Sequence, residues 1–416
     1  MVLSAFVGTS IEWYDFFLFG SAAALVFPMV FFPESDPQTA ILLSFMTYGV
    51  AFLARPLGGV IFGRMGDAIG RKTVLVVTLS ITGGGTFLIG CIPSYDAIGV
   101  WAPLLLVLMR LVQGLGIGGE WGGAVTLSAE HAEAGGRGDA RGLLTSAVQL
   151  GVPVGNLFAV GALAVMSATL PEEQFVSWGW RIPFIASALL VVLGLWIRVA
   201  VDESPLFAEQ DQVEAPFREM LRTHWRQILL TIGLRVASDV SYYVFAVFAL
   251  SYLVSTLEMN SSVGLYGVIA GSVAQLLIIP MSAALSDHYG RRPVYVVGAV
   301  SVGVWAFVAW PLINTANPAL VITTIAIGIA AQGIMFGPLA AFVAEMFSTK
   351  VRNSGSSFGF QIAGVFGGAI APFTAQLLLT SFGSTSAVSI YVALMAALAV
   401  VSAYLARETH KNAIGD

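Results

Sequence analysis

Long apolar segments alternate with short polar connectors along the whole chain. Each apolar segment is near the length of about 20 residues that a helix needs to cross a bilayer. None shows the alternation of apolar and polar residues at every second position that is typical of a half-buried strand. We therefore predict transmembrane helices over residues 4–31, 41–63, 74–92, 101–130, 141–168, 180–201, 226–256, 263–285, 294–313, 319–346, 352–380 and 384–406.

The longest polar connector divides these spans into two sets of six. It covers residues 203–225 and is rich in charge, which predicts an N-terminal bundle at 1–202, a cytoplasmic linker, and a C-terminal bundle with a short tail at 226–416. Residues 63–72, which close the second span, are echoed by residues 286–292, which close the eighth. The repeat predicts an all-α integral membrane protein with twelve transmembrane helices in two pseudo-symmetric six-helix bundles.

Composition and the distribution of charge support a membrane location. Hydrophobic residues make up 57% of the chain and charged residues 10%, against about 25% charged in soluble domains. The mean hydropathy is +0.85. Lys and Arg cluster in alternate connectors while acids occupy the others, so the positive-inside rule predicts that both termini are cytoplasmic in a bacterial-type inner membrane.

Several kinds of chemistry are disfavoured by the residue inventory. Cys91 is the single cysteine, which leaves no intrachain disulfide and no thiolate metal site. The four histidines lie apart in connectors and the tail, so we expect no metal and no cofactor. No basic stripe indicates nucleic acid, and no nucleophile and base stand at a spacing that suggests an enzyme. We expect a functional monomer that is surrounded by membrane lipids.

Two carboxylates, Glu12 and Asp15, interrupt the first apolar segment. An ionisable side chain in mid-membrane costs roughly 2.5–3.5 kcal/mol on insertion scales, so it is retained mainly beside a partner or an aqueous path. The two acids are three residues apart and share one helix face. They could form a structural ion pair between helices, or they could carry a proton. Adjacent acids increase one another's proton affinity, which favours proton coupling, with Asp15 the deeper of the two.

A second group of polar residues inside the spans forms the candidate substrate site. The planar donor fork of Arg110 suits a carboxylate ligand, although Arg110 could instead pair with a buried acid. Arg235 and Asp239, four residues apart, could neutralise each other or contact substrate. The role of Glu120, in a glycine-rich segment, is open. The full set of candidates is Arg110, Arg235, Asp239, Glu120, Tyr14, Gln113 and Tyr242.

The charges predicted to lie in the membrane do not cancel. Arg55, which precedes Pro56, is assigned to a helix kink or a gate and is the third base beside Arg110 and Arg235. The acids are Glu12, Asp15, Glu120 and Asp239. Four acids minus three bases leave one negative charge, which one bound proton would cancel.

Charged residues at the ends of the spans form the candidate gate. The Asp67 loop, with bases at Arg71 and Lys72, is repeated around Asp287 and Arg291. We expect Asp67 to meet the positive N-terminal end of the eleventh helix, near residues 352–357. Glu130 and Glu345 are placed to pair with nearby arginines. These bonds would close the cytoplasmic side in one state and break in the other. The gate candidates are Asp67, Arg71, Lys72, Glu130, Arg141, Asp287, Arg291, Glu345 and Arg352.

The repeated loop resembles the signature loop of the major facilitator superfamily. Within that superfamily, residues 55–59, 92–106, 110–120 and 178–184 resemble the metabolite:proton symporter family, which includes carriers for proline and betaine, 2-oxoglutarate and shikimate. The resemblance covers nearly the whole chain, and it implies proton-coupled transport by alternating access.

We therefore expect a secondary active transporter that takes up a small carboxylate or zwitterion together with protons. Two other functions remain open. One is a proton antiporter that exports a small molecule, and the other is a membrane receptor that binds without transport.

Overall fold

The computed structural model describes residues 2–69, 71–118, 125, 128, 140–200, 217–348 and 351–411. All regular structure in these residues is helical. Glu120, Glu130 and most of the predicted linker lie outside the described residues, as do the side chains of Asp67, Arg71 and Lys72.

The first half of the chain forms six long helices. They are α1 (Val2–Leu25), α2 (Pro37–Ile69), α3 (Arg71–Cys91), α4 (Trp101–Ile117), α5 (Arg141–Thr169) and α6 (Arg181–Ala200). Short helices Phe27–Phe31, Tyr95–Ile98 and Glu172–Gln174 lie in the connectors, the last continued by a π-helical turn, Phe175–Gly179, that leads into α6 at an angle of 43°.

The second half repeats this arrangement. A short helix, Phe217–Thr223, precedes α7 (Trp225–Ser255), and a π-helical turn at Val244–Phe248 interrupts α7. Helix α11 likewise consists of Arg352–Gly364, a π-helical turn Val365–Ala369, and Ala371–Phe382. The other long helices are α8 (Ser261–Tyr289), α9 (Arg291–Ile313), α10 (Pro318–Glu345) and α12 (Thr385–Leu405).

The predicted architecture of twelve transmembrane helices in two six-helix bundles is confirmed. Among the described residues, eight helices are long and apolar enough to cross a membrane, and the bent segment leading into α6 makes nine. Helices α1, α3 and α4 complete the set. An even number of crossings places both termini on the same side, which we call the terminal face. The other side is the opposite face.

Two details differ from the predicted spans. The first span is broken at Val26, because Pro28 has no amide hydrogen to bond to the carbonyl of Ala24. Helices α2 and α8 continue past the apolar stretch, so Asp67 and Asp287 lie in final helical turns and not in a loop. Hydropathy marks the part of a helix that lies in lipid, whereas backbone hydrogen bonding continues into the polar ends.

Helices α2 and α4 pack backbone to backbone at glycines. A Cβ atom added at Gly58 would overlap the carbonyl of Leu115, and one added at Gly114 would overlap the carbonyl of Ala51. Small residues allow such close approach, which maximises van der Waals contact where no hydrophobic force joins helices in lipid. The packing of α2 on α4 therefore fixes the positions of the buried side chains on both helices.

We predict that Gly114→Ala destabilises the folded protein by about 1–3 kcal/mol, because overpacking of this size forces the backbones apart. Thermal melting of the purified protein in detergent measures the effect. Gly84→Ala is the matched control, since a Cβ there meets no atom within 4 Å. It should be neutral or slightly stabilising. Equal melting temperatures for the two variants would contradict the close packing of α2 on α4.

Candidate functional site

A small cavity of about 20 Å³ lies between the two halves of the molecule. Residues of both halves line it: Trp13, Phe17 and Val152 from the first, and Arg235, Asp239, Tyr242, Tyr243, Gln275, Gln332, Phe336 and Phe360 from the second. A polar cavity of this volume has room for about one water molecule. The protein is therefore nearly closed around its centre in this conformation.

The cavity contains a buried ion pair. Arg235 Nε lies 3.0 Å from Asp239 Oδ2, one helical turn further along α7. The guanidinium of Arg235 also donates a hydrogen bond to the Phe360 carbonyl and stacks on the Phe360 ring, 3.3 Å from its centroid. Helix α7 thus supplies both charges to the cavity, and a charged ligand there would compete with the existing pair.

Arg110, on α4, is held by neutral groups and aromatic rings. Its Nη1 donates to Gln113 Oε1 at 2.9 Å, its Nη2 donates to the Tyr48 carbonyl at 3.4 Å, and its guanidinium carbon lies 4.0 Å from the centroid of the Phe19 ring. Its Nε has no hydrogen-bond partner. Among the described residues no carboxylate forms a direct ion pair with Arg110.

Asp15, on α1, lies near Arg110 without touching it. The Asp15 side chain is within hydrogen-bonding range of Thr86 and close enough to Arg110 for an electrostatic interaction. It is 3% exposed, and its Oδ2 has no hydrogen-bond partner. Glu12, one turn away, is half-buried. The structure therefore places the predicted proton carrier and the predicted carboxylate-binding arginine in one neighbourhood.

The uncharged candidates fall in different places. The Tyr14 hydroxyl donates to the Pro183 carbonyl at 2.8 Å, which ties α1 to α6 away from the cavity. Gln113 accepts from Arg110 and donates to Thr86 Oγ1 at 2.6 Å. Tyr242 lines the cavity, where its hydroxyl accepts a hydrogen bond of 2.7 Å from Asn156 of α5.

Amide side chains in the centre were missed by reasoning from the sequence. Asn156 joins the halves, because it also donates to Ser272 Oγ at 3.0 Å. In the second half, Gln275 donates to Gln332 Oε1 at 2.6 Å, and Gln332 donates to Ser238 Oγ at 2.7 Å. The available signal was a polar side chain within an apolar span, the same signal that indicated Gln113.

Side chains at the terminal face connect the halves through Asp287. Its carboxylate oxygens accept hydrogen bonds from the backbone N–H groups of Gly142, at 2.7 Å, and Leu143, at 2.9 Å. These groups belong to the first turn of α5, where the helix dipole favours a negative charge. Arg291 then joins Asp287, at 2.6 Å, to Glu345, at 2.9 Å.

Arg141 and the segment after α12 complete this cluster, which we call the gate cluster. Arg141 Nε lies 3.3 Å from Glu345 Oε1, and its Nη2 donates to the His410 carbonyl at 3.1 Å. Glu408 caps the start of α9 by accepting from the backbone N–H groups of Arg291 and Arg292. Partial burial acts to raise the pKa of Glu408, but these backbone hydrogen bonds outweigh it and lower the pKa.

The gate cluster therefore brings together four of the predicted gate residues, namely Arg141, Asp287, Arg291 and Glu345. Arg352 lies close to the end of α10, where its Nε donates to the Ala344 carbonyl at 3.2 Å. Glu130, Glu120 and the side chains of the Asp67 motif lie outside the described residues.

The opposite face is closed as well. Ser167 and Ser261 share a hydrogen bond of 2.7 Å between α5 and α8, and Gln376 of α11 donates to Gln38 of α2 at 2.7 Å. The central cavity is thus sealed towards both faces, which is an occluded conformation. Within the described part of the chain, no three His, Cys, Asp or Glu side chains are grouped as metal ligands.

Two six-helix bundles, closed at both faces around a charged central cavity, define a secondary transporter of the major facilitator fold. The sequence matches the model of the family described as "Sugar (and other) transporter" over residues 1–215 and again over residues 208–413. The chain belongs to this family, and the resemblance to metabolite:proton symporters of the major facilitator superfamily is confirmed.

Curated relatives match over almost the whole chain. An inner membrane metabolite transport protein of Escherichia coli K12 is 38% identical over 100% of this chain and 95% of its own length. The shikimate transporter of the same organism is 38% identical over 98% and 94% of the two chains, and the proline/betaine transporter of Salmonella typhimurium is 33% identical over 98% and 83%. All three relatives are transport proteins.

Solved structures show the same fold. The D-xylose–proton symporter superposes with a TM-score of 0.76 at 19% identity, covering 99% of this chain and 98% of that chain. A partially occluded inward-open xylose transporter of Escherichia coli gives 0.74 at 18% identity, with 98% of each chain covered.

We predict that Asp287→Asn opens the terminal face, because the neutral amide loses the charge-assisted hydrogen bonds to α5 and to Arg291. A charge-assisted bond contributes about 1.5–3 kcal/mol. The probe is Val152→Cys, in the cavity, in a protein whose exposed Cys91 is replaced by Ser. This cysteine should react with a maleimide roughly tenfold faster when Asp287→Asn is present than when Asp287 is retained, since 1.4 kcal/mol is a factor of ten. Asp36→Asn, at an exposed acid of the opposite face, should leave labelling unchanged. An unaltered rate in Asp287→Asn would reduce Asp287 to a structural role.

Proposed function

We propose that this protein imports a small organic acid together with protons across the bacterial inner membrane, with the terminal face in the cytoplasm. The observation that carries the proposal is the set of buried guanidinium groups around the closed central cavity. Arg55, Arg110 and Arg235 are each at most 2% exposed. Of these only Arg235 forms a direct ion pair among the described residues.

The balance of buried charge supports an anionic substrate. The acids buried in the same region of the described structure are Asp15, 3% exposed, and Asp239, 7% exposed. Among the buried side chains described in this region, three guanidiniums face two carboxylates, which leaves one positive charge; the excess acid counted in the sequence does not appear because Glu12 is only half-buried and Glu120 lies outside the described residues. Uncompensated charge in a low-dielectric interior is costly. A bound carboxylate would balance it. A zwitterion satisfies the same requirement less well, because it brings its own positive group.

Proton coupling is supported by the relation between Asp15 and Arg110. Asp15 combines burial, an oxygen without a partner, and proximity to an arginine that has no other acid. Gain or loss of a proton at Asp15 therefore changes how strongly Arg110 is attracted towards α1, and so how available Arg110 is to a carboxylate. Glu12, half-buried on the same helix face, modulates Asp15.

The gate cluster and the hydrogen bonds of the opposite face give the proposed cycle its two gates. When one bundle rocks against the other, the bonds of one gate break while the bonds of the other gate remain. The cavity is therefore exposed to one side of the membrane at a time. Each proton that enters down a membrane potential of 100 mV supplies about 2.3 kcal/mol. That free energy concentrates substrate nearly fifty-fold if none is lost. We place the boundary between the bundles at residues 203–225 and infer that a monomer is sufficient.

Arg110 gives the first test of this function. We predict that Arg110→Gln weakens binding of a transported acid by at least about 2 kcal/mol, the lower range for truncation of one partner in a buried charge pair. Arg110→Lys should rescue poorly, since a point charge does not reproduce a bidentate fork. Uptake of labelled shikimate, 2-oxoglutarate, benzoate, betaine and proline by cells that lack their own carriers identifies the acid, and calorimetry then gives the affinities. Unchanged affinity in Arg110→Gln would remove Arg110 from the site.

Asp15 gives the second test, because Asp15→Asn resembles a permanently protonated carboxyl. In proteoliposomes this variant should still exchange substrate present on both sides, but it should fail to accumulate substrate in response to a pH gradient. Glu12→Gln is the matched variant and should accumulate substrate with an altered pH optimum. Accumulation by Asp15→Asn would show that the proton is carried elsewhere, and accumulation with the gradient reversed would indicate antiport.

A further inference from the structure

Arg55 is buried in an aromatic cage. Its guanidinium carbon lies 4.5 Å from the centroid of the Phe16 ring, 4.5 Å from that of Phe52 and 5.9 Å from that of Trp13. These rings come from α1 and α2, and the whole Arg55 side chain is 2% exposed. Stacking on aromatic faces suits a guanidinium, which is more weakly hydrated than an ammonium.

The cage leaves hydrogen-bond donors of Arg55 unused. The Phe and Trp rings supply no oxygen or nitrogen acceptor for the five N–H groups of the guanidinium. Nε and Nη2 of Arg55 are buried and have no hydrogen-bond partner. Among the described residues no carboxylate lies within 4.0 Å of this side chain, since the ion pairs there involve other bases. Arg55 is therefore a buried cation whose Nε and Nη2 donors lack an acceptor among the described residues.

A kink at Pro56 does not explain this arrangement. Pro56 removes one backbone N–H from α2 and so frees the carbonyl of Phe52. That effect requires no charge at position 55, and an apolar side chain would fill an aromatic cage without leaving N–H groups unpaired. The presence of arginine indicates an acceptor that the described residues of the protein do not themselves provide.

Arg55 lies beside the central cavity. Trp13, which contacts the guanidinium, also lines the cavity. Arg55 acts electrostatically on both members of the Arg235–Asp239 pair across the interface between the bundles. Since Asp239 already pairs with Arg235, Arg55 is the guanidinium that a negative group entering the cavity would balance.

We propose that Arg55 is a carboxylate-binding residue of the first bundle, which receives the carboxylate of the substrate when the Trp13, Phe16 and Phe52 rings move apart. The inference rests on the proposed uptake of an organic acid. In the closed state the rings hold the cation, and in the loaded state the carboxylate accepts hydrogen bonds from Nε and Nη2. Arg55 therefore distinguishes acids from their neutral esters and amides.

The test uses the purified full-length protein in detergent, with benzoate, shikimate and 2-oxoglutarate as probes, each beside its methyl ester. Calorimetry gives the ratio of ester to acid dissociation constants. For the wild type we expect a ratio of at least about ten, because a charge-assisted bidentate contact is lost in the ester. Arg55→Gln should lower the ratio at least several-fold, with Arg110 retaining part of the preference for the acid, and Arg55→Lys should leave the ratio intermediate.

Arg226→Gln is the matched control, because Arg226 is exposed at the start of α7, and it should keep the wild-type ratio. A ratio unchanged in Arg55→Gln, with acid binding intact, overturns this inference alone. A wild type that binds none of the acids overturns the proposed function and this inference with it. If Arg55→Gln does not give folded protein, Arg55→Lys decides, since an unchanged ratio in that variant also overturns the inference.

Discussion

Ionised side chains in an apolar interior are the constraint on which this structure depends. Lipid and packed helices provide no water, so each buried charge requires an opposite charge, a polarisable ring or a ligand. Arg235 has Asp239, Arg110 has amide and carbonyl oxygens above an aromatic ring, and Arg55 has rings alone. The order of these solutions, from a full counter-ion to none, is the basis of the proposed preference for an anion.

The number of helices and their division into two bundles could be predicted from the sequence, because each depends on local composition. The burial of Asp15, Asp239, Arg55, Arg110 and Arg235 could be predicted in the same way. Which charges meet could not be predicted. The pairing of Asp287 with the start of α5, and of Arg141 with Glu345, depends on contacts between residues more than a hundred positions apart. The roles of Asn156 and Gln275 could not be predicted either, since the hydrogen-bond partners of these amides lie on other helices.

Closure at both faces relates the gates to the cavity. The opposite face is held by neutral hydrogen bonds such as Ser167 with Ser261, while the terminal face is held by charge-assisted bonds around Asp287. Neutral hydrogen bonds are individually weaker than charge-assisted ones. In the proposed transport cycle, this asymmetry favours opening towards the opposite face when the site is empty, and binding of substrate and proton supplies the free energy that breaks the stronger gate.

Helix α7 has its most apolar 18-residue window entirely enclosed by protein, whereas the corresponding windows of α9 and α12 are 39% buried. Membrane thickness acts on a protein through the surfaces that touch lipid. A thicker or thinner bilayer therefore strains the outer helices directly and reaches the residues of the central cavity on α7 only through their packing. A change in membrane lipid composition should therefore disturb the positions of the cavity residues on α7 less than those of residues on the outer helices.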